Sequence, residues 1–513
     1  MRPPIFYITN DPERALGLES TLRNFHIVCV DDSPIISKLR ENGVKVFSLA
    51  QARGEKNPIR RSAYRLLQQK EVQDYIASEM LNFHRSAQSV SVGRYIPGLA
   101  QIPTVIDSNR PAIMVFKPSR QIERLADKLG FQLLNPASEI TARIEGKISQ
   151  LELFQKYEIS MPRAISGILG ERTYDELVDY IYSNRGLKRN TQNAEISAPL
   201  VLQFDKGHSG TGTHFIKSKD EFMKLQERYP QAMVKISEYI EGETWTFNAV
   251  QTRVGTLFGG LSMQITGDPR LTPYISGGTV GNDWSKAGEI AETTRELLKQ
   301  ELEKISTLLE KESFRGMFGV DFMVRADGSP VIIEINARQT ASVSMHAKLD
   351  LRRGLVPLEA FHVIEMLLPV NVCTNEFYDF LNENFIDSGR VKLENSQRFD
   401  FTSVKDYIKR YNEKLFEPLH AWQILARNTS DEPITLKVGA TCEVWNSKRA
   451  AEDLAKVYDV EALADGEICY RRLATGQTVS PGMEVARVQG VGAEREERWV
   501  EGLVRELQPQ PHA

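Results

Sequence analysis

The sequence predicts a multidomain protein of the α/β and α+β classes in three parts: a parallel α/β domain over 1–118, an α+β domain over 119–370, and a small, mixed, β-leaning domain over 371–513. Three observations carry this. Short apolar runs alternate with helical patterns up to about residue 118, the mark of a parallel sheet with crossover helices. From 119 the strand-like runs come in adjacent pairs, two of them joined by glycine turns. After 371 a charged, helical stretch to about 417 gives way to short strand-like runs.

In the first part IFYIT (5–9), HIVCVDD (26–32), VKVFSL (44–49), PTVID (103–107) and AIMVF (112–116) read as buried strands, with a helix in ERALGLESTLRN. No GxGxxG follows the first strand, so the dinucleotide-binding fingerprint is absent. In the second part helices are expected near 145–157 and 173–183, then a polar loop, then the strand–loop–strand unit PLVLQFDKGHSGTGTHFI (199–216). KISEYI and WTFNAVQ read as a strand pair, followed by a long helix near 285–311 and the strands FGVDFMV and VIIEIN. The stretch 259–285 is rich in Gly, Pro and Ser; a connection that long is a functional loop or carries short elements of its own. In the third part AWQILARN, ITLKVGATCEVW, ICYRRL and EVARVQG read as strands.

The chain has 513 residues, 41% hydrophobic and 26% charged, with a formal net charge of −4. That is a globular profile without a basic field, which argues against nucleic acid as a partner. The basic cluster RRSAYRLLQQK (60–70) reads as a solvated helix face, and EREERW (494–499) as solvated surface. Cys29, Cys373, Cys442 and Cys469 form no CxxC pair and have no zinc spacing, which fits a reducing cytoplasm. The apolar run in MRPPIFYITNDPE is too short for a signal peptide, and no run of 18 apolar residues suggests a membrane helix.

Two stretches carry chemistry. Gly207, Gly210 and Gly212 let the loop of DKGHSGTG approach a phosphate closely, with Ser209 and Thr211 as hydroxyl donors, yet the loop lacks the GK[ST] ending of a P-loop. In GVDFMVRADGSPVIIEINAR (319–338) two alternating strands flank Asp327-Gly328, a strong hairpin dipeptide. A turn centred there sets Asp321 opposite Glu334, with Asn336 on the same face. Val320, Phe322, Val324, Ile333 and Ile335 then make the apolar face. Two opposed carboxylates repel unless a cation lies between them. Mg2+ takes such oxygen ligands while keeping sites for phosphate. A polar, solvated hairpin face with its charges paired elsewhere is the competing reading.

These stretches resemble the ATP-grasp superfamily. GVDFMV…VIIEINAR is similar to its metal-binding strands, and the thirteen-residue separation of Asp321 and Glu334 resembles D-alanine–D-alanine ligases. KISQLELFQKYEISMP resembles its lysine, helix and Gly-ile-x-x-Pro stretch, with Glu158 where glycine is usual. LVLQFDKGHSGTGTHFI resembles its glycine-rich strand–loop–strand, and ISEYIEGETWTFNAV its hinge strand. The resemblance covers about residues 119–370 and implies an ATP-grasp fold behind a preceding α/β domain.

The resemblance implies ATP as substrate and Mg2+, two ions or with Mn2+ as an alternative, held by Asp321, Glu334 and Asn336. It implies that Lys147, Lys206, Gly207, Ser209, Gly210, Thr211 and Gly212 contact phosphates, and that Glu238, Tyr239 and Ile240 read adenine. Glu243 would accept the ribose hydroxyls, with Thr244 as the alternative register. Arg338 would stabilise a transferring phosphoryl or acyl phosphate. His346 reads as a core, substrate-lining or proton-transferring group. The family usually has lysine where this chain has Gln203; with Leu200, Leu202 and Phe204 on the core face, Gln203 faces the cleft, where its amide would bond ATP through a phosphate or adenine N7, and Lys206 could supply the missing charge.

The activity implied is an ATP-dependent carboxylate–amine ligase forming an amide or peptide bond through an acylphosphate. The partners are then a small-molecule carboxylate and amine, such as amino acids or peptides, in a cytoplasmic enzyme, as a monomer or a homodimer. Two alternatives stay open: a carboxylase activating bicarbonate, and a non-catalytic ATP-binding regulatory protein. TGQTVSPGMEVARV resembles the turns of biotinyl carrier domains, but it has no lysine flanked by methionines to modify.

Overall fold

The computed structural model describes residues 4–22, 24–55, 58–90, 110–182, 199–208, 211–273, 278–367, 401–435, 442–454, 457, 460–472 and 478–507. PTVID, Ser209, Gly210, Cys373 and the stretch 368–400 lie outside them.

The N-terminal sheet is five-stranded and parallel, with β1 (Ile5–Thr9), β2 (Phe25–Cys29), β3 (Lys45–Ser48), β4 (Ala112–Val115) and β5 (Gln132–Leu133) in the order β3-β2-β1-β4-β5, so it runs past residue 118, where the first part was expected to end. β1, β2 and β4 are buried along their length, which is why they read as continuous apolar runs. The helix expected in ERALGLESTLRN is broken into a 3₁₀ turn, Pro12–Ala15, and a short helix, Leu18–Thr21. Leu16 is extended and Gly17 has φ +104°, a conformation no helix accommodates. The 60–70 cluster is not simply a solvated face: Ser62 caps the helix Ala63–Leu67, which buries Leu66 and Leu67, and Arg61 pairs with Asp31.

The second part has two lobes. The smaller is an antiparallel sheet of β6 (Ala164–Ile168), β7 (Leu200–His208), β8 (Thr211–Ile216) and β9 (Met233–Glu238), in the order β6-β9-β7-β8. Helices Tyr174–Tyr182 and Lys219–Arg228 cover its apolar face through Tyr174, Leu177, Ile181 and Phe222. The larger lobe is built on β10 (Thr244–Thr252), β11 (Gly255–Phe258), β12 (Ser262–Thr266), β13 (Thr279–Asp283), β14 (Gly316–Val324) and β15 (Pro330–Asn336). Its core joins Phe247, Phe318, Val320 and Phe322 to Leu298, Leu302 and Ile305 of the helix Glu292–Lys311.

KISEYI and WTFNAVQ, expected to pair, do not. β9 belongs to the smaller sheet and β10 to the larger, so residues 239–243 cross from one lobe to the other. Each strand pairs with a partner distant in sequence: β9 with β6 and β7, β10 with β14. The 259–285 stretch does carry elements of its own, the antiparallel pair β12–β13.

The third part extends the larger sheet. β16 (Ala421–Arg427), β17 (Ile434–Thr435), β18 (Cys442–Trp445), β19 (Ile468–Arg472) and β21 (Glu484–Val491) lie where strands were read; β20 (Thr478–Val479) was not expected, and it pairs with β17 apart from the others. β13 pairs with β16, giving a ten-stranded sheet in the order β15-β14-β10-β12-β13-β16-β21-β19-β18, with β11 beside β10. Gly281 marks the seam: a Cβ there would lie 2.1 Å from the Gln423 carbonyl oxygen. EREERW is half solvated: Trp499 packs with Val500 and Leu503 of the helix Glu497–Leu507 against this sheet. No helix among the described residues is long and apolar enough to cross a membrane.

Candidate active site

Between the two lobes lies a cleft of about 2190 Å3 whose walls come from both sheets. On the larger sheet, β14 and β15 set Asp321 directly opposite Glu334, and β10 sets Thr246 on the other side of Asp321. The ladder keeps the expected register up to this pair and then shifts by one residue at a bulge, so Phe322 faces Ile332 rather than Ile333. Ile333 therefore lines the cleft instead of the apolar face, and buried Ile332 takes its place in the core.

The carboxylates sit in a tight polar cluster. Lys147, first residue of the helix Lys147–Lys156, forms an ion pair with Glu334. Asn336 Nδ2 donates to Asp321 at 3.2 Å and to Glu334 at 3.0 Å. Gln264 Nε2 donates to Asp321 at 2.8 Å, and Thr246 also bonds Asp321. Arg338 donates to Asn336 Oδ1 at 2.8 Å and pairs with Glu145 at 3.0 Å; Lys117 lies 3.5 Å from the same glutamate. Burial pushes the Asp321 carboxyl up, and the charge on Glu334 adds to this, to about 7. Burial pushes Glu334 the same way, but Lys147, Asn336 and Arg338 outweigh it and hold Glu334 at about 2.

This donor set fits a divalent cation. Two carboxylates and an amide converge, and the groups facing the carboxylates are an ammonium and amide N–H groups, the positive ends that a cation would replace. No cluster of three His, Cys, Asp or Glu occurs among the described residues.

Across the cleft, Gln203 of β7 is turned inward between core residues Leu202 and Phe204, and its amide donates to Thr213 Oγ1 at 3.4 Å. β7 and β8 form the hairpin that carries the glycines, and Gly212, at φ +118°, lines the cleft. On β7, Asp205 accepts the Ile148 N–H at 3.4 Å at the start of the Lys147 helix. Glu238, Tyr239 and Ile240 line the cleft where the chain crosses between lobes. The Glu238 carboxylate is committed to Arg325 and to the Arg163 N–H, and the Tyr239 N–H donates to Tyr182.

Glu243 is not brought to the cleft. It is exposed, and Thr244 lines the wall instead, because Thr244 and Thr246 alternate onto one face of β10. His346 is a core residue, 1% exposed, with Nε2 accepting the Gly260 N–H at 2.8 Å; burial lowers its pKa despite nearby Asp350.

The site also contains residues that sequence reasoning missed. Gln264 came from the stretch read as a functional loop or as carrying short elements of its own, in which no residue was singled out. Lys117 and Glu145 flank the first expected lysine without a motif. Lys235 on β9 is buried and lines the cleft; burial, with Lys147 nearby, lowers its pKa to about 8. Its alternation with Val234 and Ile236 was the available signal.

No curated protein sequence matches the chain. Residues 174–342 match the family model described as an ATP-grasp domain. Among solved structures, N5-carboxyaminoimidazole synthase from Aspergillus clavatus, in complex with ADP and 5-aminoimidazole ribonucleotide, superposes with a TM-score of 0.50 at 13% identity, covering 98% of each chain. Biotin carboxylase from Campylobacter jejuni, in a β,γ-ATP complex, superposes with a TM-score of 0.53 at 10% identity, covering 98% of this chain and 90% of the other. At these identities the likeness is one of fold. Residues 174–342 thus carry an ATP-grasp domain.

Proposed function

We propose that the protein is an ATP-dependent carboxylate–amine ligase working through an acylphosphate. The observation that carries this is the convergence of Asp321, Glu334 and Asn336 with Lys147 and Arg338 on one wall of a cleft whose other wall bears the glycine hairpin. A carboxylate–metal wall facing a backbone-rich loop suits the triphosphate of ATP. In this reading Asp321, Glu334 and Asn336 hold Mg2+. When bound, Mg2+ neutralises the phosphate oxygens and polarises the transferring group. Lys147 and the loop residues Lys206, Gly207, Ser209, Gly210, Thr211 and Gly212 orient the phosphates, and Glu238, Tyr239 and Ile240 receive the adenine.

The substrate carboxylate oxygen attacks the γ-phosphorus, the β–γ bridging bond breaks, and ADP leaves. The amine then attacks the acyl carbon, phosphate departs with the C–O bond electrons, and the amine proton is lost to solvent. Arg338, held by Asn336 and Glu145, faces the charge that develops on the phosphoryl and acyl oxygens. Enclosure between the lobes protects the acylphosphate from water.

The test is a screen of amino acids and dipeptides, with bicarbonate as a separate acid, for ADP and phosphate release, and mass spectrometry of products. ADP and phosphate in equal amounts, with a product of acid plus amine less water, supports the ligase. ADP release with bicarbonate alone replaces it with a carboxylase, and nucleotide binding without ADP formation with a regulatory protein.

A further inference from the structure

A second buried cation faces the cleft, and it comes from a strand where none was expected. Lys235 is 5% exposed, and its neighbours Val234 and Ile236 are core residues, so strand alternation turns Lys235 toward the cleft it lines. β7 and β9 pair antiparallel, and Gln203 and Lys235 are direct partners across that ladder. Directly opposed residues share a face with Cβ atoms about 4.5–5.5 Å apart. Gln203 brings no charge, and its amide points at Thr213. Among the described residues Lys235 has no carboxylate within ion-pair distance; Glu334 is engaged by Lys147 instead.

We propose that Lys235 is a ligand of the nucleotide's phosphate chain, supplying from β9 the positive charge that Gln203 lacks on β7. This rests on the nucleotide reading above. Burying an ammonium without a directly paired counter-ion is unfavourable, and Lys147 adds like-charge repulsion that the Glu334 carboxylate, itself paired with Lys147, only partly offsets. A polyanion entering the cleft relieves both. Neighbouring strands lie about 4.8 Å apart, a distance the lysine stem spans, so the ammonium reaches the space in front of Gln203. A purely structural lysine at this depth would be expected to have an acidic partner.

Lys235→Met keeps the stem and removes the charge. The Kd for MgATP, read by calorimetry, is expected to rise about 10- to 100-fold, while adenosine binds as before and the ligand-free melting temperature does not fall. The exchange Gln203→Lys/Lys235→Gln returns a charge to β7 and is expected to recover most of the affinity. Unchanged MgATP affinity in folded Lys235→Met, or equal losses for adenosine and MgATP, overturns the proposal. Should Lys235→Met fail to fold, the exchange variant decides: folded with MgATP affinity near wild type upholds the proposal, folded without it overturns it. Wild-type protein that binds neither adenosine nor MgATP overturns the nucleotide reading itself, which separates that failure from an error about Lys235 alone.

Discussion

Asp321 and Glu334 face each other directly across the β14–β15 ladder, and their surroundings treat them oppositely: burial and its neighbour's charge push Asp321 up, while Lys147 and Asn336 outweigh burial to hold Glu334 down. Asp321→Asn removes one of the two opposed charges. The metal-free protein is expected to be as stable as wild type or more so, since a like-charge contact is lost. ADP formation is expected to fall by about 100-fold or more, and the extra melting-temperature gain of MgADP over ADP alone to disappear. Full turnover in this variant would sink the metal assignment.

His362 gives the fold an acid limb. It is 1% exposed, its Nδ1 accepts the Met317 N–H at 3.1 Å, and its Nε2 lies 3.1 Å from the Leu134 carbonyl oxygen, so the neutral ring with a proton on Nε2 satisfies both. Burial lowers its pKa from 6.5 to about 4. The neutral form is favoured in the fold, so the unfolded chain binds more protons between these values and stability rises with pH there. The contribution is complete above about pH 6.5 and lost as pH falls toward 4, roughly 3 kcal/mol in all. His26, also lowered to about 4, by burial and then Lys45, titrates in the same window. His362→Gln should therefore reduce, without abolishing, the slope of denaturation free energy between pH 4 and 6.5. An unchanged slope would show that the ring is not held neutral.

What was legible in the sequence was local. Asp327-Gly328 and the alternation around it announced the hairpin and the Asp321–Glu334 pair, because turn chemistry and period-2 patterning act within a few residues. The bulge that turns Ile333 into the cleft left no such trace; packing of Ile332 into the core decides it. Strand existence was legible for β9 and β10, but partnership was not. An apolar pattern names a buried face, not the strand beside it, so the two strands were read as a pair. The Gln203–Lys235 pair was hidden for the same reason, since it depends on a register between strands about thirty residues apart. Gln264 reaches Asp321 only because β12 adds to the sheet beside β10.

Glu158 stands where the resemblance suggested glycine, and the backbone explains the preference. Its φ is +52°, in the left-handed region, just after the helix Lys147–Lys156, and its side chain is exposed. Its carbonyl oxygen accepts from Lys304 at 2.8 Å, a bond any residue can keep. Glu158→Gly removes the Cβ strain and costs some unfolded-chain entropy, for a net gain of roughly 0.5–1 kcal/mol in denaturant titrations. A loss of stability would mean that the side chain has a favourable contact. ADP formation should not change.

Arg325 and Glu238 clasp the lobes together. Glu238 ends β9 in the smaller sheet, Arg325 follows β14 in the larger, and the carboxylate is 3% exposed. Arg325→Met takes the guanidinium away from that buried carboxylate, which keeps the Arg163 N–H at 3.0 Å, and is expected to destabilise the protein by about 3 kcal/mol. Glu238→Gln/Arg325→Met replaces the pair with a neutral amide that still accepts from Arg163, so it should regain at least half of the loss. The clasp also fixes the angle at which the hinge strand meets the metal wall, so Arg325→Met should weaken nucleotide binding more than its stability loss alone accounts for. A double-mutant cycle on both melting temperature and MgATP affinity separates the two effects. Additive losses, with no coupling between the residues, would show that the lobes are held by other contacts and that the pair is incidental to the cleft.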